Sequence, residues 1–168
     1  MFIKTAIVIS CVMGYFSIMS NRTVRIFTIG FTGSNAEHFF TRLHSENIKK
    51  VIDTRLWASS QLAGFAKKQD LPYFLKKIVN IDYEYRKDLA PSEDILKAYK
   101  DGKINWNEYE IKYKNLIHHR DIANVLKPQD LAHSCFLCAC KTQHQCHRRI
   151  LVEYLQDNWS ISLEVKHL

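Results

Sequence analysis

Two apolar runs bracket a helical pattern near the start of this chain, and that order restricts its fold more than any other feature. Val24-Arg-Ile-Phe-Thr-Ile-Gly30 reads as a strand closed by glycine, and Lys50-Val-Ile-Asp-Thr54 as a second, buried strand. Between them Ala36, Phe39, Phe40 and Leu43 repeat at helical spacing, with Ser34 and Glu37 placed as a capping box. A strand, a helix and a strand within about thirty residues make a right-handed parallel unit.

The remaining sequence extends the pattern. Arg55 to Ala66 has no period and reads as a loop of functional length. Leu71, Phe74, Leu75 and Ile78 mark a helix, and Ile81 to Tyr85 alternate as a short strand. Ile95, Leu96 and Tyr99 define a helix that Asp101-Gly102 breaks. Trp106, Tyr109, Tyr113, Leu116, Ile117 and Arg120 define another, whose aromatic stripe reads as sheet packing rather than a nucleotide platform. His133 to Cys138 is the next strand, followed by a helix on Ile150, Leu151, Tyr154 and Leu155, and by a last strand from Ser162 to Leu168. The whole is a single α/β domain with a mainly parallel sheet of four to five strands.

The 168 residues are 46% hydrophobic, which suits one globular domain and argues against disorder. A formal net charge of +7 favours anionic partners such as a nucleotide or nucleic acid, although scattered lysines also serve simple solubility. Of five cysteines, four fall between Cys135 and Cys146, a spacing unlike a secreted disulfide framework, so reduced thiols in a cytoplasmic protein are expected. Residues 1–19 are a mostly apolar extension, short for a membrane span and poor in the small residues of a signal cleavage site. The expectation is a mis-assigned start with Met19 as the initiator, residues 20–168 as the domain, and no stable membrane span in it.

The chemistry concentrates at strand ends. Gly30 closes the first strand, Asp53-Thr-Arg55 the second, and Cys138-Ala-Cys140 the late one. Parallel strands point these ends to one sheet edge, where open α/β folds bind ligands. Asp53 is a candidate general base or a partner that fixes Arg55. Cys146, His147 and Arg148 fall in the first turn of the following helix, where free N–H groups favour anions and lower thiol pKa values. Candidate catalytic residues are therefore Asp53, Cys138, Cys146 and His147; candidate anion or substrate contacts are Gly30, Arg55, Lys67 and Arg148. Cys138, Cys140, His144, Cys146 and His147 also supply enough ligands for zinc, with Cys138, Cys140 and Cys146 foremost, but their spacing is unusual for a structural zinc site. A phosphatase-like thiol loop does not fit, because the sixth residue after Cys138 is His144 and after Cys140 is Cys146.

Thr28-Ile-Gly30, Val51-Ile-Asp-Thr-Arg55, Gly64-Phe-Ala-Lys67, Asp70-Leu71, Tyr83, Leu89-Ala-Pro91, Trp106 with Tyr109, and Cys138 to Cys146-His-Arg148 occur in this order. Together they resemble the Domain of Unknown Function 488 family over roughly residues 24–168. The resemblance implies a three-layer, Rossmann-like α/β domain of mainly bacterial and archaeal occurrence. It places the family's site at the aspartate–arginine strand end and the Cys-His-Arg turn, and brings no settled activity. Members often continue the first motif as Thr-Ile-Gly-His-Ser, whereas Phe31-Thr32 follow Gly30 here, so no catalytic histidine stands at that place. Some members carry glutamate where this chain has Cys140.

Three functions follow as expectations. The first is an enzyme acting at a phosphate or glycosidic centre of a nucleotide or nucleic acid. The second is a non-catalytic module binding the same ligands, and the third a zinc or thiol-redox protein using the Cys138–Cys146 cluster. No cofactor is expected beyond a zinc ion in the third case; substrate and oligomeric state stay open.

Overall fold

The computed structural model describes residues 23–59 and 64–168. The expected start at Met19 and the apolar extension lie outside the described residues. Five strands, β1 (Thr23–Gly30), β2 (Lys50–Asp53), β3 (Asp82–Tyr85), β4 (Ser134–Cys138) and β5 (Ser162–His167), form one sheet in the order β3-β2-β4-β1-β5. Every neighbouring pair is parallel. Six α-helices surround it: α1 (Ala36–Ser45), α2 (Leu71–Phe74), α3 (Glu93–Lys100), α4 (Trp106–His119), α5 (Ile122–Val125) and α6 (His147–Asn158).

The alternation of the central strands sorts the helices into two layers. Ile26, Ile52 and Phe136 face one side and pack with Ile95, Tyr113, Ile122 and Leu151 of α3 to α6. Phe27, Ile29, Val51, Cys135 and Leu137 face the other and pack with Phe39 and Leu43 of α1 and with Leu71 and Leu75. The result is a three-layer, Rossmann-like α/β fold, as the strand and helix patterns indicate. Among the described residues no helix is long and apolar enough to cross a membrane.

Local details depart from the sequence reading. The cap of α1 is Asn35, whose side chain accepts the His38 N–H at 2.8 Å; Ser34 instead bonds Asn35 O and the His38 ring. Asparagine is at least as good a cap as serine and stands one residue nearer the first turn. The helix expected over Leu71 to Ile78 begins as α2 and widens into a π-helical turn, Leu75–Val79, closed by Asn80 in the left-handed region. The wider turn rotates Ile78 off the buried face, leaving it 57% exposed. The strand expected from His133 begins at Ser134, because His133 has φ 59°.

Register places the site. Gly30 lies opposite Cys138, and Asp53 opposite Leu137, so the ends of β1, β4 and β2 stand side by side. From that edge the chain leaves β1 toward the α1 layer and leaves β4 toward the α6 layer. Such divergence is where α/β sheets open a ligand crevice.

Candidate active site

At the end of β2, the Asp53 carboxylate holds Arg55 in a bidentate pair, Nε to Oδ1 at 2.8 Å and Nη2 to Oδ2 at 2.6 Å. It also accepts the Arg55 backbone N–H and, at 2.7 Å, the Tyr83 hydroxyl. Asp53 is 0% and Arg55 4% exposed, and the guanidinium lies 5.2 Å over the Phe31 ring. A carboxylate occupied by four donors orients its neighbours; it has little capacity left to accept a substrate proton. Burial, together with the Asp53 charge, pushes the Tyr83 hydroxyl well above the usual tyrosine range.

Thr54 joins this strand end to α6. Its hydroxyl donates to Leu137 O at 2.9 Å, so it accepts from His147 Nε2 at 2.9 Å; that nitrogen also bonds Thr54 O at 3.1 Å. Nε2 therefore carries the proton, and Nδ1 keeps a lone pair. Burial lowers the His147 pKa to about 4, which keeps the imidazole neutral near pH 7.

Two sulfurs meet beside it. Cys138 closes β4 and Cys146 is the residue before the first turn of α6; their Sγ atoms are 2.9 Å apart. Cys138 Sγ also accepts the Cys140 N–H at 3.1 Å and Arg148 Nη1 at 2.7 Å. Cys138, Cys146 and Arg148 are buried, whereas Cys140 is half-buried. Burial raises the Cys138 and Cys146 thiols above the usual range. Hydrogen bonding with Cys138 and Cys146, aided by the Arg148 charge, holds the Cys140 thiol far below it. Of the three thiols, Cys140 is thus the one most readily ionised.

The structure brings Gly30, Asp53, Arg55, Cys138, Cys146, His147 and Arg148 to one sheet edge. Gly30 belongs there because an added Cβ would fall 1.7 Å from Cys140 O and 2.6 Å from Arg148 Nη1. Lys67 lies in the turn after a short helical segment, Gly64–Ala66, and no described contact joins it to the strand ends. His147 is not the surface residue that its polarity suggests, since it is 8% exposed. Thr54 and Tyr83 are the partners that sequence reasoning left without roles. The parallel pairing of β2 with β3 is the signal for Tyr83, once the register sets it opposite Val51.

One ring nitrogen of His147 and the sulfurs of Cys138 and Cys146 lie within 4.8 Å of one another, close enough to hold a metal ion as a group. Two thiolates on one tetrahedral zinc stand about 3.8 Å apart, so zinc would require these sulfurs to separate. A cavity of about 360 Å³ lies elsewhere, against α1 and the π-helical turn.

A model of the family described as Domain of unknown function DUF488 matches residues 35–155. No curated protein and no solved structure matches the chain.

Proposed function

The chain belongs to the DUF488 family, and from that premise we propose that it is a thiol–disulfide oxidoreductase whose reacting group is Cys140 and whose electron store is the Cys138–Cys146 pair. One observation carries the reading: two buried sulfurs 2.9 Å apart, with a third, half-exposed cysteine on the turn between them. A disulfide needs a further approach to only about 2.05 Å.

The Cys140 thiolate attacks one sulfur of a small disulfide RS–SR′, forming Cys140–S–S–R and releasing R′S⁻. Cys146 gives up its proton and attacks Cys140 Sγ, forming a Cys140–Cys146 bond and releasing RS⁻. Cys138 then gives up its proton and attacks Cys146 Sγ, which leaves a Cys138–Cys146 disulfide and restores the Cys140 thiolate. The two protons go to the released thiolates. The substrate gains two electrons, and two external thiols reverse the sequence. Arg148, against Cys138, offsets the negative charge while it moves among the sulfurs.

The nucleotide and nucleic-acid readings have less behind them. Asp53 and Arg55 are committed to each other, so neither is a ready base or phosphate clamp. A zinc site would require the Cys138 and Cys146 sulfurs to move apart from their 2.9 Å separation.

Reduced protein titrated with 2-hydroxyethyl disulfide is expected to lose two thiols, with the new bond mapped by mass spectrometry to Cys138 and Cys146. Cys140→Ser is expected to slow that loss by about a hundredfold or more. Thiols inert in the folded protein, or one zinc per chain surviving purification in chelator-free buffer, would overturn the proposal.

A further inference from the structure

Two guanidinium groups flank Gly30. Arg42 reaches Gly30 O and Ser34 Oγ only at 3.5 and 3.4 Å, distances at which a hydrogen bond is weak. Arg148 Nη1 occupies the space a Gly30 side chain would fill and bonds Cys140 O at 3.0 Å. The Nε atoms of both arginines are buried without a hydrogen-bond partner. Among the described residues neither arginine makes an ion pair. Residues 1–22 and 60–63 contain no Asp or Glu. Arg148 is the largest fully buried side chain, 1% exposed.

A buried guanidinium is ordinarily paired with a carboxylate or phosphate. Here a second cation stands near the first, and Lys141 packs its methylenes 3.5 Å from the Cβ position of Gly33. Burial lowers the Arg42 pKa, and the Arg148 charge lowers it further. The Cys140 thiolate alone balances only part of this charge. Arg42 is half-exposed, so an incoming group can reach it.

We infer that Arg42 and Arg148 form an oxyanion seat beside Cys140, and that the preferred partner of the thiol site is a small disulfide bearing a carboxylate or phosphate. The seat stands on two arginines whose buried Nε atoms have no partner and which, among the described residues, meet no carboxylate; the disulfide part rests on the thiol–disulfide reading above. Holding the acidic end of a substrate there brings its sulfur to the thiolate and raises its local concentration.

Two measurements on the full chain separate the two ideas. Inorganic phosphate, at constant ionic strength against a chloride control, is expected to raise the melting temperature by about 3 °C when well above its dissociation constant. Arg42→Gln is expected to abolish that rise; as a half-exposed position it avoids the folding risk of Arg148→Ala. In stopped-flow oxidation, disulfides bearing carboxylates and disulfides bearing phosphates are expected to react about tenfold faster than neutral 2-hydroxyethyl disulfide. The advantage of the acidic disulfides over the neutral one is expected to vanish in Arg42→Gln. A larger advantage for one acid names the group that the seat prefers. Equal rates for all disulfides, with no phosphate shift, would overturn the seat and leave the thiol reading intact. A phosphate shift that needs Arg42, with no disulfide reacting at all, would keep the seat and overturn the thiol reading.

Discussion

A methyl group on Gly30 would meet the Cys140 carbonyl at 1.7 Å and the Arg148 guanidinium at 2.6 Å. Gly30→Ala must therefore displace the segment that carries Cys140. The expected loss is about 3 kcal/mol of stability, read from urea unfolding. Asp53→Ala leaves the Arg55 charge buried without its partner, an expected cost of about 3–5 kcal/mol by the same measurement. His147 adds a pH-dependent term. Its pKa is about 4 in the folded protein and about 6.5 when unfolded. Above about pH 6.5 both states are neutral there and the full stability is present. Between about 6.5 and 4 the unfolded chain takes up a proton that the folded protein refuses. Stability therefore declines by up to about 3 kcal/mol as pH falls through that window, and this term levels off below it. His147→Gln should flatten this decline when urea midpoints near pH 7 and pH 4.5 are compared. Gly30, Asp53 and the Cys-His-Arg turn were readable in the sequence because they end strands or begin a helix. The low pKa of Cys140 relative to its neighbours was not, because it depends on tertiary hydrogen bonding and burial rather than on local sequence. Arg42 carries no local signal either, since only the tertiary approach to Gly30 sets it beside Arg148.

Element boundaries followed hydrophobic spacing closely, and the misses have local causes. Phe39, Phe40 and Leu43 fixed the buried face of α1, but two adjacent polar residues competed for its cap, and Asn35 holds it. Asn35→Ala is expected to cost about 1 kcal/mol, while Ser34→Ala stays within about 0.5 kcal/mol, by thermal or urea unfolding. The π-helical turn after α2 is invisible to a 3.6-residue period. It keeps Leu75 buried and turns Ile78 outward. Leu75→Ala should accordingly cost about 2–5 kcal/mol, and Ile78→Lys less than about 0.5 kcal/mol. A regular helix would have made both positions sensitive.

The strand count and the parallel sense could be read from the alternation of strand and helix patterns, but the strand order could not. β4 inserts between β1 and β2, which are joined through α1 in the chain, and that insertion sets Cys138 beside both Gly30 and Asp53–Thr54. Long-range pairing of this kind leaves no periodic trace in either partner strand. The insertion also leaves β3 and β5 at the sheet edges, where unpaired backbone invites other chains. Asp82 and Glu84 on β3, and Glu164 and Lys166 on β5, put charge there. Replacing Glu164 and Lys166 together by valine should raise light scattering during heating without shifting the urea midpoint much.

Cys138 ends a central strand and Cys146 precedes a long helix, while Cys140 rides on the turn between them. The sulfurs that would become joined are thus fastened to a strand and a helix, while the half-buried one rides on a turn whose carbonyl is held by Arg148. Passage between the two oxidation levels then asks for a small swing of one short segment, with the sheet as an unmoving frame. If the proposed exchange operates, little reorganisation would separate its end states, and turnover would be set by encounter with the partner rather than by rearrangement of the protein.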